Sequence, residues 1–382
     1  MELITGKIDY LISLVVIHHY LCLSNKINDM KAAVLTEYNK VEWLDVEKPL
    51  CKPGEVLIEV AYGCICGSDQ HIHKGEFHPR TKTPMIMGHE FGGLVVEVGE
   101  GVEGWAVGDK VAPDPIIWCG KCPACLKGHY PACTTLKLIG IDSDGGFTQF
   151  ISLPPSMLYK VPADIPDEHV ALIEVLAIGC HAKNRSNVKK GDTVVIWGSG
   201  KVGLCILEAV RTVTDNTVFM VDILEPRLAI GPKYYENVIA IDASKENPVE
   251  RIKDETGGKG VDIAFEAVGH AHEIEGLVNP VRGCIQSVCG GGTVCVLGLG
   301  NEPAPIVFKE LIWKEAKIVS SRVSRGEFAE AIEHLKHGRF KPEALISQKL
   351  HGSQTQRGFE ILDENPAENI KILLDFRSEY PD

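Results

Sequence analysis

The sequence predicts an α/β protein in which a β-rich unit is followed by a parallel sheet wound with helices on both faces. Three observations carry this expectation. From Met30 to about Ile151 the apolar residues fall in short runs broken by Gly, Pro and Asp, as in Glu55–Val60 and Gly93–Gly99, the pattern of a compact barrel-like unit. From about Asn184 strands alternate with helical stretches, which predicts parallel strands joined by helices. The first of those strands also runs straight into Gly198-Ser199-Gly200-Lys201-Val202-Gly203, with a helical segment behind it.

In chain order, the second half gives strands at Thr193–Trp197, Val218–Asp222, Val238–Ile241, Ile263–Glu266 and Thr293–Leu297. Helical segments at Val202–Thr212 and Pro248–Thr256 lie between them. Beyond about Arg322 come an amphipathic helix, Glu327–His337, and a last strand, Asn369–Phe376. That tail is long enough to return to the first unit. The expected division is therefore 30–183 with 323–382 as one unit and 184–322 as the other. A chain of 382 residues can bury two separate cores.

Composition narrows the function. A formal net charge of −13, without a basic cluster, disfavours nucleic acid, since phosphate binding needs a basic face. Thirteen cysteines, an odd number, fit a reducing, cytoplasmic compartment in which thiols serve metals. The first 29 residues differ from the rest. Leu11–Leu23 is a mostly apolar run of thirteen residues, shorter than the roughly 20 that a membrane span requires. It lacks a small-residue cleavage site. Met30–Leu35 then reads as a fresh start into a strand, so residues 1–29 are read as an upstream extension, of the kind a misassigned start codon yields. No membrane partner is expected.

In the glycine-rich turn the first glycine permits a tight bend and the second lets backbone approach a pyrophosphate. The third allows close helix packing, and the helix N-terminus points N–H groups at phosphates. Such a motif alone is weak, but here strand, turn and helix follow in order. Asp222 ends the next strand, nineteen residues after Gly203, where a carboxylate hydrogen-bonds an adenosine ribose. Gly198, Gly200, Lys201, Val202, Gly203 and Asp222 are thus candidates for binding a nicotinamide dinucleotide. Asp222 favours NAD, because it would repel a 2′-phosphate and Ile223 and Leu224 offer no cation. Arg227, five residues on, is the one nearby charge that argues the other way.

Two cysteine and histidine patterns point to metal. Cys119, Cys122, Cys125 and Cys133 form a C-x2-C-x2-C-x7-C ladder in a turn-rich segment. Thiolates so spaced can close a tetrahedral, structural zinc site. Two disulfides, or merely clustered thiols, are the competing reading, but cysteines three residues apart suit a shared ion better. The second pattern is split. Cys66, in Ile65–His71, and His89, in Gly88-His89-Glu90, lie in separate turns about twenty residues apart. They can supply two ligands to a zinc that keeps an open position, with Glu90 or Glu174 as the third. Open zinc beside nicotinamide makes an alcohol proton easier to remove, by the effect that takes bound water from about 15.7 to about 7. Ser68 and His71 are placed to relay that proton to water.

Taken in this order, ICGSDxH at Ile65–His71, GHE at Gly88–Glu90, the cysteine ladder and GSGKVG at Gly198–Gly203 resemble the zinc-dependent medium-chain dehydrogenases, the alcohol and polyol dehydrogenase superfamily. The resemblance runs from Met30 nearly to the end. It implies a GroES-like catalytic domain, a Rossmann domain, two zincs per subunit and a homodimer or homotetramer. It puts the catalytic-zinc ligands on Cys66 and His89, the adjacent glutamate on Glu90 and the later ligand position on Glu174. Val175 stands where the family usually has proline. A glutamate at 174 looks like the sorbitol and threonine branch rather than the simple alcohol dehydrogenases. The implied reaction is hydride transfer from a secondary alcohol of a polyol or sugar derivative to NAD. L-Threonine oxidation is the alternative, and a non-catalytic dinucleotide-binding zinc protein is the rival of another class. Cys64 is read as a buried thiol, Gln70, His73 and Phe77 as possible pocket residues, and Arg322 as reaching a ligand oxygen or making an ordinary ion pair.

Overall fold

The computed structural model describes residues 29–269, 275–300 and 303–377. The apolar run Leu11–Leu23 and the rest of the expected extension before Asp29 lie outside the described residues. The first strand runs Asp29–Glu37. It pairs antiparallel with Lys40–Glu47 and Met85–Ile86 in a three-stranded sheet.

The main β-rich sheet has seven strands. Val56–Cys64 sits near its centre, with Phe91–Val98 on one side and Lys371–Asp375 on the other. Phe150–Leu153 also pairs with Val56–Cys64. The C-terminal strand is therefore built into the sheet begun by the first hundred residues. Its core is apolar and continuous: Ile58, Val60, Ile72, Phe91, Phe147, Ile372 and Phe376 are all buried. Each such side chain contributes about 1.5–3 kcal/mol by leaving water.

The second sheet has six parallel strands in the order Val238–Asp242, Val218–Asp222, Val194–Trp197, Val261–Glu266, Val288–Val296, Lys317–Ser320. Numbered along the chain this is 3-2-1-4-5-6, the Rossmann order, and the crevice at its switch point opens beyond Trp197. The sequence reading placed five of the strands to within a few residues and missed Lys317–Ser320, a four-residue edge strand bounded by Lys and Ser. Helix Ile173–Ser186 and helix Lys201–Arg211 share one core, in which Ile173, Leu176, Cys180, Leu204, Leu207 and Val210 are buried together with Phe328 and Ile332. That packing fixes the first turn of Ile173–Ser186, which carries Glu174, against the main sheet. Among the described residues no helix is long and apolar enough to cross a membrane.

Candidate active site

Strand Val56–Cys64 delivers the chain to Cys66, which caps helix Gly67–His73. The sequence reading took this stretch for a turn. It is helical because Asp69, at the third helical position, accepts a hydrogen bond from the Cys66 backbone N–H at 2.8 Å and so satisfies an N-terminal donor. Asp69 is fully buried, and its other oxygen lies 3.3 Å from His89 Nδ1. The imidazole is thereby held with Nε2 on the opposite side, 3.3 Å from the Ser68 hydroxyl. Burial alone would lower the pKa of His89, but the Asp69 carboxylate and the Cys66 thiol overcome it and hold it well above the ordinary value.

His89 and Glu90 sit in the short loop that enters strand Phe91–Val98. The Cys66 sulfur, a His89 ring nitrogen and a Glu90 oxygen all lie within 4.8 Å of one another. Glu90 is also bound through both oxygens by the Lys371 ammonium, and both side chains are fully buried. Glu174 is not in that triplet but is buried close by. Its Oε2 has no hydrogen-bond partner, and burial, then the Glu90 charge, pushes its pKa up to about 8. A soft sulfur, an oriented imidazole and an orphaned buried carboxylate oxygen form a donor set suited to zinc.

The remaining relay residue stands apart. His71 lies in the last turn of the same helix, its side chain 58% exposed, with Nδ1 2.5 Å from Glu76 Oε2. Among the described residues no hydrogen bond joins it to Ser68, although the two are three residues apart on one helix.

The cysteine ladder comes together in a separate lobe. The sulfurs of Cys119, Cys122, Cys125 and Cys133 all lie within 4.8 Å of one another, and none is in a disulfide. Backbone N–H groups point at them: Cys122 donates to Cys119 at 3.3 Å and Cys119 to Cys133 at 3.4 Å. The backbone N–H of Cys125 is the main cause that lowers the Cys122 thiol to about 6. Four convergent sulfurs with N–H donors suit a closed metal site.

The glycine turn follows strand Val194–Trp197, and Gly200 caps helix Lys201–Arg211. A Cβ on Gly203 would lie 1.8 Å from the Gly198 carbonyl oxygen, so only glycine fits there; Val202, beside it, is half-buried against the core. Asp222 ends the neighbouring strand and accepts hydrogen bonds from the N–H groups of Ser199 at 2.7 Å, Ile223 at 2.8 Å and Leu224 at 3.1 Å. Arg227 stands beside the turn, but its Nε and Nη2 donate to the Pro366 carbonyl.

Several expectations change. His73 is no pocket residue: it is buried and stacked on Phe359, with ring centroids 4.5 Å apart. Phe77 stacks on His71. Arg322 donates from Nη1 to the Pro131 carbonyl at 3.1 Å, beside the cysteine lobe, in place of the expected ion pair or ligand contact. Cys64 is the buried thiol that the sequence suggests: it is fully buried, and burial drives its pKa well up. Two residues central to the site are not among the sequence candidates. Asp69 was visible as an acid three places after a helix cap, whereas Lys371 is 281 residues from its partner and left no local signal.

A Rossmann sheet, a GroES-like barrel and a cysteine–histidine–carboxylate centre beside the glycine turn define a zinc-type dehydrogenase. Residues 52–163 match the alcohol dehydrogenase GroES-like domain, and residues 202–337 match the zinc-binding dehydrogenase family. The sorbitol dehydrogenase of Bacillus subtilis (strain 168) is 30% identical over 354 residues, 91% of this chain and 97% of that protein. Two solved structures superpose with a TM-score of 0.82 at 28% identity, each covering 91% of this chain. One is the rspB alcohol dehydrogenase of E. coli CFT073 complexed with NADH, matched over 100% of its chain. The other is a zinc-binding dehydrogenase of Sinorhizobium meliloti 1021 bound to NADP, matched over 99%. The chain belongs to the zinc-dependent medium-chain alcohol dehydrogenase family and is an oxidoreductase of alcohols.

Proposed function

We propose that this enzyme oxidises a secondary alcohol of a polyol or sugar derivative and passes the hydride to NAD. The observation that carries the reading is the convergence of Cys66, His89 and two buried carboxylates within one side chain's reach of the glycine turn. Cys66 and His89 would hold the catalytic zinc. Glu174 is the better third ligand, because Lys371 already occupies both oxygens of Glu90. When bound, zinc supplies a Lewis acid that eases loss of the alcohol proton, and the dinucleotide supplies the hydride acceptor. Ser68, beside His89, would take that proton and pass its own outward, and His71, at the exposed end of the helix and not hydrogen-bonded to Ser68, would release it to water through a hydroxyl or water between them. Cys119, Cys122, Cys125 and Cys133 would hold a second, structural zinc.

The choice of NAD rests on Asp222. A carboxylate at the end of that strand would repel a 2′-phosphate, and two of the Arg227 guanidinium nitrogens donate to the Pro366 carbonyl. Residues 30–183 with 323–382 are taken as the catalytic unit and 184–322 as the cofactor unit, a division supported by the pairing of Lys371–Asp375 with Val56–Cys64. A homo-oligomer is supported by an apolar face beside the edge strand Lys317–Ser320, where Phe308 and Trp313 are 70% and 77% exposed. The convergence of four cysteine sulfurs on one centre suits a reducing, cytoplasmic setting in which thiols serve metals.

The test is a screen of the zinc-loaded protein for NAD reduction over polyols, sugar acids, 2,3-diols and L-threonine, with NADP in parallel. Turnover of a polyol or sugar derivative, faster with NAD, is expected. Turnover of L-threonine alone, or a clear preference for NADP, would contradict the reading.

A further inference from the structure

Lys201 carries a charge that its own helix does not want. It is the first residue of helix Lys201–Arg211, whose first turn contains no acidic residue. A cation at a helix N-terminus opposes the positive end of the macrodipole. The side chain is half-buried, and among the described residues its ammonium makes no ion pair; its hydrogen bond is a long one, 3.5 Å to Gln70 Oε1. Ser199, two residues earlier in the turn, is fully buried with an unpartnered hydroxyl. A half-buried cation and an orphaned hydroxyl flank a row of helix N-terminal donors, and all three call for the same anion.

The direction of the side chain adds a second constraint. It crosses from the glycine turn to the loop that carries Cys66. A Cβ built on Gly67 would lie 3.1 Å from both the Cε and the Nζ of Lys201. The residue next to Cys66 thus has no side chain, and the space it would fill is taken by the lysine. Gln70, which accepts from Lys201, in turn donates to Asp363 at 3.1 Å on helix Thr355–Glu364. A chain of contacts therefore joins the turn, the Cys66 helix and the C-terminal helix.

We propose that Lys201 is a positioning residue whose ammonium binds the diphosphate of the dinucleotide while resting on the Gly67–Gln70 segment, so that the bound cofactor is held in register with the Cys66 loop. The proposal rests on the dinucleotide reading above. Lys201, packed against Gly67, thus senses the diphosphate and leaves the adenosine untouched.

Binding is measured directly, by quenching of intrinsic fluorescence as zinc-loaded protein is titrated with NADH, ADP-ribose or adenosine, with zinc content and Tm recorded for each variant. Lys201→Gln should weaken NADH and ADP-ribose about tenfold or more and flatten the salt dependence of both. Adenosine affinity and zinc content should not change. Lys201→Arg should keep most of the affinity, and Gly67→Ala, which crowds the lysine, should lower it. Unchanged NADH affinity in Lys201→Gln would overturn the proposal. So would an equal loss of adenosine binding, which would mark the lysine as a support for the turn's fold. A wild-type protein that binds neither NADH nor ADP-ribose would instead overturn the dinucleotide reading itself.

Discussion

Lys371 seats its ammonium on both carboxylate oxygens of Glu90, and neither side chain has any exposure to solvent. The pair ties the C-terminal strand Lys371–Asp375 to the loop that presents His89. Burial opposes the charge on Lys371, yet the Glu90 carboxylate in contact with it helps to hold its pKa well above the ordinary value.

Removing one partner of such a pair strands the other charge. Lys371→Met should cost on the order of 3–5 kcal/mol in denaturant unfolding, and the double variant Lys371→Met, Glu90→Gln should recover much of that loss. If the double variant were as unstable as the single one, the cost would lie in packing and not in charge.

Asp69 should act on the proposed metal centre through His89. Asp69→Asn keeps the shape but removes the charge that faces Nδ1 at 3.3 Å. Affinity for the catalytic zinc should fall about 10- to 100-fold, measured by competition with a chelator, while the cysteine-lobe zinc is retained.

The two proposed metal sites should fail differently. Cys122→Ala opens a closed cluster of four sulfurs. It should lower the zinc content from two per chain to one and Tm by about 5 °C or more. A thermal scan with metal analysis checks both.

Glu208 gives the fold a pH dependence away from the active site. It is 1% exposed on helix Lys201–Arg211, bonded by the Tyr235 hydroxyl and, at 2.7 Å, by the Lys341 backbone N–H. Burial pushes its pKa up to about 7. A raised carboxyl pKa means the folded state binds the extra proton, so stability is present at low pH and lost as pH rises from the unfolded value through about 7. Glu208→Gln can still accept both hydrogen bonds. It should be more stable than wild type at pH 8 by up to about 3 kcal/mol, with the difference vanishing near pH 4. Equal unfolding curves at both pH values would show that Glu208 is not strained by burial.

The parts of the site legible in the sequence were those encoded within one turn or loop. The cysteine ladder, the glycine turn with Asp222 and the Gly88–Glu90 motif each carry their geometry in their spacing. What escaped was long-range. Glu90 and Lys371 meet only because the last strand inserts beside Val56–Cys64. Lys201 reaches Gly67 only because the turn and the Cys66 helix face each other. Helix Gly67–His73 was hidden for a local reason: it opens with Gly and Ser, both poor helix formers, and is held by the Asp69 cap. In the sheet, Val288–Val296 continues through Gly290–Gly292, a triplet that reads as a turn in isolation.

Alcohol oxidation should depend on the centre built around Cys66. NADH formation by wild type and Cys66→Ala, with the best substrate of the screen and with folding checked by thermal unfolding, tests it most directly. Cys66→Ala should stay folded, keep the zinc of the cysteine lobe and bind NADH, yet form no NADH from alcohol. Full activity in that variant would contradict it.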